Sequence, residues 1–131
     1  MNAETGARRA ADREKQLWPV AKVDEVAPGE RKLVEVKKHS IGLFNVNGTY
    51  VAALNMCPHE LAPVCRGRIG GTTLPSEPGE YRWGRQGEIL RCPWHGWEFD
   101  LTGGGRMLAD QRVRLRLYPV VVEGDTVYIQ L

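Results

Sequence analysis

Arg31-Lys32-Leu33-Val34-Glu35-Val36-Lys37, Ile41-Gly42-Leu43-Phe44-Asn45-Val46, Asn47-Gly48 and Thr49-Tyr50-Val51-Ala52-Ala53-Leu54 together decide the fold class. The first run alternates polar and apolar side chains, the pattern of a strand with one buried face. Asn47-Gly48 between two apolar runs is a hairpin signal, because both residues tolerate the positive φ of a type I′ turn. The C-terminal end reads the same way. Val113-Arg114-Leu115-Arg116-Leu117 alternates, and Tyr118-Pro119-Val120-Val121-Val122-Glu123, Gly124-Asp125 and Thr126-Val127-Tyr128-Ile129-Gln130-Leu131 read as a final hairpin. Past the N-terminus no segment sustains the apolar period of a helix. The expectation is an all-β protein, an antiparallel sandwich or small barrel.

The 131 residues fit one domain, placed at 17–131 behind a polar tail over 1–16. Eighteen basic residues against sixteen acidic ones give a net charge of +2, which points to neither nucleic acid nor an anionic membrane as partner. No apolar run reaches membrane-spanning length. Arg8-Arg9 has the look of a twin-arginine export signal. The following Ala10-Ala11-Asp12-Arg13-Glu14-Lys15-Gln16, however, is charged where such a signal is apolar, so the expected location is cytoplasmic. The cysteines are Cys57, Cys65 and Cys92. An odd number argues against a disulfide framework and toward metal binding or catalysis.

Between Met56 and Gly105 the composition turns to Gly, Pro, Cys, His and Trp, as in loops carried on a rigid β scaffold. Two motifs stand there: Cys57-Pro58-His59 and Cys92-Pro93-Trp94-His95. Each supplies one thiolate and one imidazole. The short spacers force tight turns, Pro58 and Pro93 fix φ, and Gly96 lets the chain turn directly after His95. Two Cys and two His suit a tetrahedral zinc ion. They equally suit a [2Fe–2S] cluster with two thiolates on one iron and two imidazoles on the other. Zinc modules usually pair Cys with Cys and His with His, whereas here each pair is mixed.

Cys57-Pro58-His59-Glu60-Leu61-Ala62-Pro63-Val64-Cys65-Arg66-Gly67 resembles the first cluster loop of Rieske-type ferredoxins and of Rieske oxygenase N-terminal domains. Arg91-Cys92-Pro93-Trp94-His95-Gly96-Trp97-Glu98-Phe99-Asp100 resembles the second. The resemblance covers roughly 17–131. It implies a Rieske-like antiparallel β sandwich with a cluster-binding subdomain at about 55–105. It also implies one Rieske [2Fe–2S] cluster on Cys57, His59, Cys92 and His95. The segment between the loops is longer than in typical Rieske ferredoxins; an insertion at about 72–88 is expected to form a turn with a strand or hairpin. Cytochrome bc-type members bridge their loops with a disulfide. Here Trp94 stands where the second bridging Cys would be, so Cys65 is expected to be a buried small hydrophobe. High-potential members place Ser and Tyr hydroxyls after the second His; Trp97 and Phe99 occupy those positions, which implies a low potential.

The remaining candidates have plainer readings. His39 belongs to the turn Lys37-Lys38-His39-Ser40 by composition. Trp94, Trp97 and Phe99 are expected to pack the cluster subdomain and exclude water. Arg112, Arg114 and Arg116 are expected to share one solvated strand face. Rieske oxygenases need a second iron held by two His and a carboxylate. With two of the three histidines on the cluster, His39 alone cannot build that site, so the chain is not an autonomous oxygenase. The expected function is one-electron transfer, as a ferredoxin-like component between a flavin reductase and an oxygenase or similar acceptor. The alternative is a non-catalytic Rieske subunit or redox sensor of a larger complex.

Overall fold

The computed structural model describes residues 16–58, 62–73, 78–79, 83–94 and 96–131. In chain order their strands are β1 Leu17–Lys22, β2 Arg31–Val36, β3 His39–Val46, β4 Thr49–Leu54, β5 Arg68–Thr73, β6 Trp83–Arg91, β7 Glu98–Asp100, β8 Arg106–Met107, β9 Leu117–Tyr118, β10 Val120–Glu123 and β11 Thr126–Gln130. One 3₁₀ turn, Val64–Arg66, precedes β5. The strands form three antiparallel sheets, ordered β1-β11-β10, β2-β3-β4-β9 and β5-β6-β7-β8. No helix among the described residues is long and apolar enough to cross a membrane.

The middle sheet separates two cores. On β3, Ile41 and Leu43 point to one side and Phe44 and Val46 to the other, and all four are buried. This strand is therefore apolar on both faces, unlike the half-buried β2 beside it. One core joins Ile41 and Leu43 to Val26, Ala52, Val127 and Ile129 beneath the first sheet. The other joins Phe44 and Val46 to Leu90, Phe99 and all three cysteines beneath the third. Among the described residues Asn45 is the one buried polar or charged residue, and it is satisfied: its Nδ2 donates to the Val26 carbonyl at 2.8 Å and its Oδ1 accepts from the Gly48 N–H at 2.8 Å.

Both hairpins of the middle sheet turn through left-handed residues. Asn47 and Gly48 have φ of 51° and 98°, as their types favour. Lys37 and Lys38 do the same at 50° and 70°, although lysine carries no such preference. β3 consequently starts earlier than expected. His39 is its first residue, paired across the hairpin with Val36 and exposed, rather than a turn residue.

Three further expectations need correction. Val113–Leu117 is not a strand. Val113 N–H donates to Asp110 in a turn, Leu115 N–H donates to Gly105, and an isolated Arg106–Arg114 bridge precedes the two-residue β9. Arg112, Arg114 and Arg116 therefore share no strand face: Arg112 pairs with Asp110 at 3.0 Å, and Arg116 lies over the Tyr118 ring. Second, 118–123 is not one strand. Pro119 has no N–H to add to a ladder, and there the chain leaves the middle sheet for the first. Third, Trp94 is 58% exposed, so it does not pack the interior as Phe99 does.

The described residues of 72–88 belong to the β5–β6 hairpin. Gly70 faces Ile89 but Thr72 faces Gly84, so β6 bulges over Arg85–Glu88, with Arg85 at φ 58° and Gly87 at φ 86°. Residues 74–77 and 80–82, and 1–15 of the N-terminal tail, lie outside the described residues.

Candidate metal centre

Cys57 follows β4 and Cys92 follows β6. The two residues are 0% and 1% exposed and belong to the same core, with Phe44, Leu90 and Phe99 around them. Each opens a loop closed in the same way. The Cys57 N–H donates to the Ala62 carbonyl and the Cys92 N–H to the Trp97 carbonyl, both at 2.8 Å and both five residues ahead. In the second loop Gly96, at φ 70°, also donates to the Cys92 carbonyl. The outward rims are wet: Pro58, Pro93, Trp94 and Gly96 are exposed. His59 and His95, the other two candidate ligands, lie outside the described residues.

Other residues dock these loops, and sequence reading did not single them out for it. Gly67 ends the first loop against the start of the second. A Cβ on it would come 1.8 Å from the Arg91 carbonyl oxygen, one residue before Cys92. Only glycine allows that approach. Arg31, on β2, donates its guanidinium to the carbonyls of Cys65, at 2.6 Å, and Gly67. Asn55 accepts from the Cys65 N–H at 2.8 Å and reaches the Ser40 hydroxyl with its own amide, tying the first loop to β3. The second loop is spanned by the Arg91–Glu98 ion pair at 2.7 Å. Arg31 lies 34 residues before Cys65, and nothing local in the sequence marks their contact.

Cys65 is the expected small hydrophobe. It is fully buried against Gly42, where a Cβ would sit 2.6 Å from its sulfur, and its thiol donates to the Ala53 carbonyl at 3.4 Å. Burial pushes the thiol up to about 12, against smaller opposing effects from Gly42 and Arg31, so Cys65 stays protonated and is no thiolate donor. Two buried sulfurs in one core, at the openings of two similarly closed loops, suit a compact cluster clamped from both sides.

The family model for the Rieske [2Fe-2S] domain matches residues 16–119. This chain belongs to that family. It carries one Rieske-type [2Fe–2S] cluster, which settles the choice between iron–sulfur and zinc left open by the donor types. The ferredoxin component of the p-cumate 2,3-dioxygenase system of Pseudomonas putida is 28% identical over 109 residues, covering 82% of this chain and 80% of that protein. A nitrite reductase [NAD(P)H] of Emericella nidulans is 28% identical over 120 residues, which is 86% of this chain and 10% of the enzyme. Among solved structures, the Sphingomonas yanoikuyae B1 ferredoxin superposes with a TM-score of 0.65 at 26% identity, covering 88% of this chain and 99% of that one. The Rieske fold expected from the loops is thus the fold of this chain.

Proposed function

We propose that Cys57, His59, Cys92 and His95 hold the cluster, and that the chain is a ferredoxin-like carrier passing single electrons from a flavin reductase to an oxygenase or similar acceptor. The observation that carries this reading is the matched closure of the two loops, each by its own cysteine N–H, with both sulfurs in one core. That closure spans the position of His59 in one loop and of His95 in the other. When bound, a cluster with four protein ligands supplies one-electron chemistry and offers no vacant position to a substrate. The chain's part is to bury the sulfurs and keep water from them through Phe44, Leu90 and Phe99. The exposed rims beside both histidine positions suit an imidazole-bound iron at the surface, where a partner can approach. A buried, protonated Cys65 suits a reducing compartment, and the cytoplasm is the proposed location.

The fungal nitrite reductase match favours a second reading, in which the chain serves one larger enzyme as its Rieske subunit. Aerobic purification tests the first claim. The protein should be coloured, give a Rieske EPR signal after dithionite, and lose both in Cys92→Ser. With Phe99 buried and offering no hydroxyl, the midpoint should lie at the low end, about −150 mV. Full colour and an unchanged EPR signal in Cys92→Ser would end the ligand assignment. Repeated turnover between a ferredoxin reductase and an oxygenase separates the carrier from the subunit, which would co-purify with one enzyme and exchange no electrons.

A further inference from the structure

We infer that the end of the third sheet next to Cys92 is a docking surface for an acidic protein partner, whose carboxylates seat among Arg31, Arg66, Arg68 and Arg91. In the ladder Arg68 lies directly opposite Arg91, and Arg91 directly opposite Glu98. Like charges facing each other across strands are destabilising, and the single carboxylate of this row is already bound to Arg91 at 2.7 Å. Arg66 and Arg68 are exposed, and neither meets a carboxylate among the described residues. Arg31, also exposed, donates to the carbonyls of Cys65 and Gly67 and meets no carboxylate among the described residues. Arg66 and Arg68 thus flank Gly67, Arg31 bonds to its carbonyl and Arg91 presents a carbonyl to it, and among the described residues Glu98 is the one carboxylate paired with any of the four.

The surface has a shape as well as a sign. A notch of about 190 Å³ opens between Arg68 and Arg91, where Gly70 and Gly71 contribute no side chains. A Cβ added to Gly70 would meet only the end of Gln86, at 4.0 Å. The notch thus leaves a carboxylate room to reach both guanidinium groups, in the fork geometry that arginine favours. Its position also matters, since Arg91 immediately precedes a candidate ligand. An acidic partner seated there would lie against the second cluster loop. Steering by opposite charge raises encounter rates and falls with salt, which suits a transient electron-transfer complex.

The inference rests on the carrier reading for its redox consequence, but binding tests it separately. Fluorescently labelled hexaglutamate should bind the purified protein at low ionic strength and be released by salt. Arg68→Glu should abolish that binding. Arg112→Glu, an equal charge change at the exposed Asp110 pair, should leave it nearly intact. In the kinetic arm the dithionite-reduced protein gives one electron to ferricyanide, which becomes ferrocyanide. Arg68→Glu should slow this step by about threefold or more at low salt, with absorption and EPR spectra unchanged, and hexaglutamate should slow the unsubstituted protein alone. Equal losses in Arg112→Glu would mean net charge only and overturn the proposal, as would absence of hexaglutamate binding. A missing EPR signal with peptide binding intact would overturn the carrier reading and leave the docking surface standing.

Discussion

The two cores on either side of the middle sheet are held by different means. The one beneath the first sheet is largely aliphatic: Val26, Ile41, Leu43, Val127 and Ile129 are fully buried, and its strands meet through hairpins except where β1 closes on β11. The one beneath the third sheet holds three cysteines, two irregular loops and sheet strands of two, three, six and nine residues. Its loops are fixed by backbone hydrogen bonds, by Arg31 reaching in from the middle sheet, by Asn55 just after β4, and by a glycine pressed on a carbonyl. The first half gains its order from area removed from water, which is tolerant of detail. The second depends on contacts that fail if one atom is added. β3, buried on both faces, lets a forgiving scaffold carry an unforgiving site.

Damage to the scaffold half should lower stability most and the site least. Ile41→Ala leaves a cavity under the first sheet, and a loss of about 2–5 kcal/mol is expected in urea unfolding. Iron and visible absorption per folded chain should stay unchanged. If the cluster were lost in step with stability, the two cores would not be separable. Gly67→Ala should behave the opposite way. The added methyl cannot fit 1.8 Å from the Arg91 carbonyl, so the loops must part. Overpacking of this kind costs about 1–3 kcal/mol, less than the cavity. Yet iron content should fall sharply, because the misplaced segment leads straight into Cys92. Retention of full iron content in Gly67→Ala would show that the loops dock without that contact.

Legibility followed the same division. β2 could be read from alternation, since burial of one face is a local signal, and β3 and β4 from apolar runs either side of Asn47-Gly48. β1 was hidden by Pro19, which is tolerated because β1 is an edge strand whose register shifts between Pro19 and Ala21. The turn at Lys37-Lys38 was legible from composition but its two-residue length was not, because the flanking strands, not the turn residues, impose its left-handed φ and draw His39 into β3. On the site side, Cys57 and Cys92 were legible as chemistry, and the structure brings both into one core. Arg31, Asn55 and the role of Gly67 were not, because each acts through a contact distant in sequence. Alternation misled at Val113–Leu117: Leu115 is buried in the cysteine core, but its backbone bonds to Gly105 rather than to a ladder.

The smallest expected effect concerns what stiffens the third sheet far from the loop ends. The bulge in β6 places Arg85 so that it binds Glu88 at 3.0 Å and Asp100 at 2.6 Å, while Asp100 also accepts from the Thr102 and Gly103 N–H groups. Burial alone would raise the Asp100 carboxyl, but hydrogen bonds from Arg85 and Thr102 together outweigh it and hold the group below its ordinary 3.8. A carboxylate depressed in the folded state stabilises that state above its unfolded value, and the contribution is lost as pH falls through the lower folded value. The folded protein should therefore show an acid loss of stability beginning near pH 4 that Asp100→Asn lacks. Above pH 5 the substitution should cost about 1 kcal/mol, because the pair is only partly buried. The comparison sharpens through iron content. Asp100 sits at the end of β7 away from Cys92, opposite Ile89 rather than Arg91, so the cluster should persist through this titration. Coincident loss of absorption and stability near pH 4 would mean that the bulge network and the loops are one cooperative unit.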